Sequence, residues 1–192
     1  MKQPRQDHWE AAQRVVCYLK SAPGQGILLT DLSLSVYCDS DWSSCPLTRQ
    51  SLSAFVVLLD GSLISWKTKK QDIVSHSSAK AEYRSMSVAL REIKWLRKLL
   101  KELGIEQTAP TQMLCDSKAA IHIAANPVVH KRTKHIENDC HAVRNAVRDG
   151  IITTTHVRIT EQIADMLTKA LGRAQFVHLL SKLGIQDLHA PT

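Results

Sequence analysis

Leu34-Ser35-Val36-Tyr37-Cys38-Asp39-Ser40-Asp41-Trp42 carries an apolar strand straight into a pair of acids, and the reading of the fold starts there. Leu34, Val36 and Cys38 alternate with Ser35 and Tyr37 in the two-residue period of a strand, and Asp39 arrives where that strand is expected to end. The pattern returns far downstream, where Gln112-Met113-Leu114-Cys115 leads into Asp116 and then into a helix-like Ser117-Lys118-Ala119-Ala120-Ile121. If the two strands are neighbours in one sheet, Asp39 and Asp116 meet at one end of it. Two converging carboxylates suggest a bound divalent cation.

Between these acids the chain reads first as strands and then as one long helix. Ser53 to Leu59 is strand-like, Asp60-Gly61 is a hairpin turn, and Ser62 to Lys67 returns. The loop from Ser43 to Ser51 holds Arg49, a candidate phosphate contact or a plain polar connection. A helix of about Ala79 to Leu103 is opened by Ser77-Ser78 and closed by Gly104. Its apolar stripe is Met86, Ala89, Ile93, Leu96, Leu100 and Leu103, and one step of four back from Met86 lands on Glu82. A carboxylate on that stripe, expected in the first helical turn, is costly unless a cation or donor meets it; the alternative is a solvated Glu at a frayed helix start. Arg84, Arg91, Lys94, Arg97, Lys98 and Lys101 form a basic side, which either follows phosphates or is simply a solvated face.

After Asp116 a short helix ends at Asn126-Pro127, a basic run from His130 to His135 includes Arg132 and Lys134, and a further helix ends near Gly150. Ile151 to Ile159 is strand-like, with Ile151, Thr153, Thr155 and Val157 on one face. Glu161 to Lys169 reads as a short helix that sets Asp165 beside Ile163, Ala164 and Met166, and Phe176, Leu179, Leu180 and Leu183 mark a terminal helix. Strands clustered early and then alternating with helices indicate a mixed sheet with helices packed on it.

The 192 residues have room for one domain with a sizeable core, and 44% hydrophobic with 22% charged residues excludes a disordered or fibrous chain. A net charge of +7 favours an anionic partner such as nucleic acid, against the plainer reading of a soluble basic surface. No apolar run approaches the ~20 residues of a membrane span, and no signal arrangement opens the chain, so an intracellular protein with no membrane partner is expected. Five cysteines without a C-x-x-C pair argue against a disulfide framework, and His130, His135, Cys140 and His141 match no familiar zinc spacing. The first ~25 residues, with Trp9, Ala12, Val15, Val16 and Leu19 at helical spacing, form a helix that needs a partner surface.

Several linked runs together resemble one family. These are Tyr37 to Trp42, Leu63 to Gln71, Val74 to Tyr83, Leu114 to Ser117, Arg132 to Glu137 and Gln162 to Lys169. In that order they look like the ribonuclease H domain of copia-type retrotransposon Pol polyproteins. The opening Asp7-His8-Trp9 to Leu19-Lys20 resembles the end of the preceding reverse transcriptase. The resemblance implies residues 1–30 as a reverse transcriptase remnant, 31–172 as the ribonuclease H domain and 173–192 as a helical tail. It implies an α/β fold of the ribonuclease H type, a five-stranded mixed sheet with helices on both faces. It also implies four acids, carried over as Asp39, Glu82, Asp116 and Asp165, both catalytic and metal-binding. Asp41 rivals Asp39, and Glu137 and Asp139 are second choices for Asp165.

Such a site hydrolyses a phosphodiester with two Mg²⁺ ions roughly 3.5 to 4 Å apart, Mn²⁺ serving as substitute, because water must be activated and the leaving oxygen stabilised. The implied partners are an RNA–DNA hybrid, read by groove shape and 2′-hydroxyls, and a reverse transcriptase domain. The implied setting is the cytoplasm, a virus-like particle or the nucleus. Arg49, Lys80, Arg84, Arg132 and Lys134 are the expected nucleic-acid contacts. Two departures stand out. His156 lies within the last strand, whereas many ribonucleases H carry a mobile His in the loop after it. Lys80 stands where related sequences often have an acid. An inactive nucleic-acid-binding or polymerase-packing domain is the alternative, and a haloacid dehalogenase-type phosphatase, suggested by Asp39-Ser40-Asp41, leaves Glu82 unexplained.

Overall fold

Five strands, β1 (Leu34–Asp41), β2 (Leu52–Leu59), β3 (Ser62–Lys70), β4 (Thr111–Cys115) and β5 (Ile152–His156), form one mixed sheet in the computed structural model, which describes residues 5–20, 32–126 and 137–185. Their order across the sheet is β3-β2-β1-β4-β5. The first three are antiparallel neighbours, while β1–β4 and β4–β5 are parallel. Parallel pairs need long crossovers. The first is α2 (Ser78–Glu102), and the second is α3 (Lys118–Ala125) followed by α4 (Glu137–Arg148). Asp60 and Gly61 both have positive φ, 50° and 73°, the geometry that lets a two-residue turn match the twist of β2 and β3.

The expected alternation decides which side chains meet which face. Leu34, Val36 and Cys38 point into a large cluster with Phe55, Val57, Met86, Ile93, Met113 and Ile152, so α2, α3 and α4 cover that face. Burying each such side chain contributes roughly 1.5–3 kcal/mol. The opposite face is smaller. There Val56 and Leu58 pack with Ile163, Ala164 and Leu179, drawn from the 3-10 turn Ile163–Leu167 and from α5 (Arg173–Lys182). β2 is therefore apolar from Ala54 to Leu59 because it is covered on both sides.

Four expectations are corrected. β1 does not end at Asp39; Ser40 and Asp41 continue the ladder opposite Ser53 and Leu52, because polar side chains leave the backbone pairing intact. Leu103 is 67% exposed, since it is the C-cap of α2 and falls beyond the packed stripe. β5 is shorter than expected, Ile152–His156, and Ile152 is its core residue. The basic side of α2 is only partly free. The Arg97 guanidinium donates to the carbonyls of Gln107 (2.5 Å) and Ala109 (2.8 Å), holding the chain that leads into β4. Helix α1 (Gln6–Lys20) buries none of its described side chains, and Trp9, Val15 and Val16 are exposed.

Candidate metal centre

Asp39 alternates onto the smaller face of the sheet, beside Tyr37, and lies wholly buried near the carboxyl ends of β1 and β4. Parallel pairing of β1 with β4, Tyr37 opposite Leu114, places Asp116 immediately beyond the neighbouring strand. Asp165 enters from the 3-10 turn on the smaller face. Glu82 comes from α2 on the larger face, in the second helical turn rather than the first, because Ser77 is the N-cap and Ser78 the first helical residue. Asp39, Asp116 and Asp165 each offer an oxygen within 4.8 Å of the others, and Glu82 makes a like group with Asp116 and the thiol of Cys115. Asp116 belongs to both groups, so the four acids form one continuous cluster.

Neutral donors hold the frame around them. The Ser40 N–H donates to Glu82 Oε1 at 3.2 Å, and the Thr168 hydroxyl donates to Asp39 Oδ2. Ser85 Oγ bridges the carbonyls of Asp39 (2.7 Å) and Ala54 (3.0 Å), pinning α2 to the sheet. Gln162 Nε2 reaches the Cys38 carbonyl at 3.0 Å while its Oε1 caps the turn that carries Asp165. Buried Gln71 gathers Ser40, Ser53, Ser75 and the Ala81 carbonyl, fixing the end of β3 against the start of α2.

The cluster holds more negative charge than this frame neutralises. Burial first, then the charges of Asp39, Cys115 and Asp116, pushes Glu82 up to about 10. Burial also lifts Asp165 to about 6, against the hydrogen bond from Lys169 that favours its ionised form. Asp116 is raised by burial and by Asp39, with Lys169 and His156 pulling the other way. Lys169 Nζ sits 2.7 Å from Asp165 Oδ1 and 3.3 Å from Asp39 Oδ1. One ammonium among four acids leaves a deficit of positive charge, and the donors are hard oxygens of the kind Mg²⁺, Mn²⁺ and Ca²⁺ take. The residues present therefore fit a divalent cation.

Other expected residues fall differently. Asp41 ends β1 outside both groups. His156 is exposed at the last position of β5, opposite Cys115. Arg49 is exposed and Lys80 partly so, whereas the Arg84 guanidinium is engaged with the Ile73 carbonyl (3.1 Å) and Ser75 Oγ (2.8 Å). Arg132 and Lys134 lie outside the described residues, as do the side chains of Glu137, Asp139 and Cys140 and the whole of His130 and His135. Sequence reasoning passed over Thr168, Lys169, Gln71 and Ser85. The four-residue spacing from Asp165 to Lys169 was the available signal.

No family model matches the chain. It is 42% identical over 188 residues to the retrovirus-related Pol polyprotein from transposon RE2 of Arabidopsis thaliana and 41% identical to that from transposon RE1, in each case over 96% of this chain. The chain is a relative of retrotransposon Pol polyproteins. It spans 13% of the length of those two relatives. Its fold is that of ribonuclease H. An LC11-RNase H1 solved in complex with an RNA/DNA hybrid superposes with a TM-score of 0.54 at 13% identity, covering 70% of this chain and 93% of that one. The foamy viral protease-reverse transcriptase in complex with an RNA/DNA hybrid gives 0.52 at 11% identity, covering 80% of this chain and 21% of that one. In this ribonuclease H-like chain, no helix among the described residues is long and apolar enough to cross a membrane.

Proposed function

We propose that this domain hydrolyses the RNA strand of RNA–DNA hybrids during retrotransposon reverse transcription, alongside a reverse transcriptase and inside the cell, in the cytoplasm, a virus-like particle or the nucleus. The observation that carries the reading is the convergence of Asp39, Glu82, Asp116 and Asp165 from four separate elements at one end of a ribonuclease H-type sheet. The hybrid complexes of the two solved relatives supply the substrate class.

Asp39, Glu82, Asp116 and Asp165 would hold Mg²⁺, with Mn²⁺ as substitute, and a pair of such ions supplies water activation and stabilisation of the leaving oxygen. The chain itself contributes placement. Thr168 fixes the orientation of the Asp39 carboxylate, the Ser40 N–H that of Glu82, and the Gln162 cap that of the turn bearing Asp165. Exposed Lys67, Lys69 and Lys70 on the edge strand β3, with Arg49 in the loop between β1 and β2, offer positive charge to a polynucleotide backbone. Lys80, partly exposed beside Glu82 in sequence, and Arg132 and Lys134 complete the proposed contacts.

The test is cleavage of a labelled RNA–DNA hybrid in Mg²⁺, beside duplex RNA, single-stranded RNA and a phosphate monoester. Hydrolysis confined to the RNA of the hybrid, abolished by a chelator and by Asp116→Asn, is the expected result. Equal cutting of duplex RNA, or undiminished activity in the chelator, overturns the proposal.

A further inference from the structure

Lys169 brings its ammonium into the cluster of acids from just beyond the turn that carries Asp165, its N–H donating to the Asp165 carbonyl. Its Nζ bonds Asp165 Oδ1 at 2.7 Å and Asp39 Oδ1 at 3.3 Å, and Asp116 is close enough to feel its charge. Those two oxygens belong to the three-carboxylate group that fits a cation. The lysine is therefore placed where a divalent ion would take its own ligands. Two features separate this contact from an ordinary structural pair. The side chain of Lys169 is one-third exposed while Asp39 is wholly buried, so the ammonium has a path to water along a flexible four-carbon stem. Asp39 also keeps a second donor, the Thr168 hydroxyl, which fixes the carboxylate whether or not the ammonium stays.

We propose that Lys169 is an internal counter-cation: its ammonium holds Asp39 and Asp165 in the metal-free chain and gives those oxygens up when divalent ions bind, so that it sets the metal concentration the site requires. The inference rests on the reading of the four acids as a metal centre. A positive side chain that must be displaced lowers the apparent affinity for metal, as any competing ligand does. A lysine that only braces the turn behaves oppositely, because its removal loosens Asp165 and weakens metal binding.

The experiment measures Mg²⁺ and Mn²⁺ affinity by titration calorimetry on the full chain, wild type and Lys169→Met, together with melting in a chelator. Lys169→Met should melt lower without metal, having lost the cation among the acids. It should bind Mn²⁺ about tenfold or more tightly than wild type, the order expected for one close, partly buried charge pair. Unchanged or weaker binding by the variant, with wild type binding normally, overturns the counter-cation role and leaves the metal centre standing. Binding by neither protein removes the metal centre and the proposal together, whereas binding by the variant alone supports both. Should the variant not fold, Mn²⁺-soaked crystals of the wild type decide: anomalous density beside Asp39 and Asp165 with the Lys169 Nζ moved away supports the proposal. Density there with the Nζ still bonded to Asp165, or no density at all, overturns it.

Discussion

Replacing Glu82 by Gln should stabilise the metal-free protein at neutral pH, by an amount that grows with pH. Glu82 is buried, and its folded-state value of about 10 stands far above the ordinary 4.5. Below pH 4.5 both the folded and the unfolded chain carry the proton, and no penalty arises. Above it the unfolded chain ionises while the folded one does not, so stability falls as pH rises, and the fall ends only when the folded group ionises near 10. From 4.5 to pH 7 that interval is worth at most about 3 kcal/mol, at roughly 1.4 kcal/mol per pH unit. Relaxation and water penetration around the carboxyl reduce the expected gain to about 1–3 kcal/mol. The amide of Gln keeps an oxygen for the Ser40 N–H, now at 3.2 Å, so the change removes the ionisation and little else. In a chelator at pH 7, Glu82→Gln should melt higher by roughly 2–4 °C for each kcal/mol gained, and the difference should shrink towards zero near pH 4.5. Added Mg²⁺ should then raise wild type more than the variant, since metal stabilises only the state that binds it. A variant that melts below wild type at pH 7 without metal, or a difference that is flat between pH 5 and 8, refutes the reasoning.

The other acids should separate by their partners. Asp116→Asn, at a half-buried group raised by burial and by Asp39, should melt at or above wild type without metal, whereas Asp39→Asn should lose about 1–3 kcal/mol because it weakens the hold on Thr168 and Lys169; thermal melts in a chelator check the order, and the reverse ranking counts against the charge argument. Gln71→Leu removes the donor to the Ala81 carbonyl, Ser40 and Ser53 and the acceptor of the Ser75 hydroxyl, for an expected loss of about 1–3 kcal/mol in urea unfolding and a weaker response to Mg²⁺; an unchanged midpoint would show that water replaces the amide. Hybrid affinity should fall with salt, and Lys67→Ala combined with Lys70→Ala should flatten the slope by about 1 to 2 phosphate contacts; a slope identical to wild type removes β3 from the interface.

Much of this architecture is visible in residue order because it rests on periodicity. Leu34, Val36 and Cys38 announce a half-buried strand, Asp60-Gly61 announces its hairpin, and the Met86-to-Leu100 stripe announces the helix that covers the sheet. Convergence of the acids is legible for the same reason, since a strand that runs into Asp and a helix whose stripe begins with Glu both point at one end of the core. Three features escape that kind of reading. Periodicity says which face a residue takes but not where pairing stops, so Asp39 was expected at the end of β1 and is found inside it. Arg84 and Arg97 look like solvent-face cations on a helical wheel, yet each reaches a backbone carbonyl of a neighbouring loop that no wheel contains. Lys169, four residues after Asp165, looks like an exposed helical pair, and only the turn's seating against the sheet brings it to Asp39 as well.

The two faces of the sheet are unequal in depth. Among the described residues the larger cluster holds twenty buried side chains and the smaller holds five, and Asp165 rides on the smaller one. Local opening free energies follow such packing, the thinner layer releasing first. Amide exchange across Ile163–Leu167 should therefore outpace exchange across Met86 to Ile93, and each excursion removes one acid and its neighbouring lysine while the sheet stays whole. The site can thus be dismantled and rebuilt without unfolding the chain, and anything that grips α5, which packs on that turn through buried Leu179, tunes how often that happens.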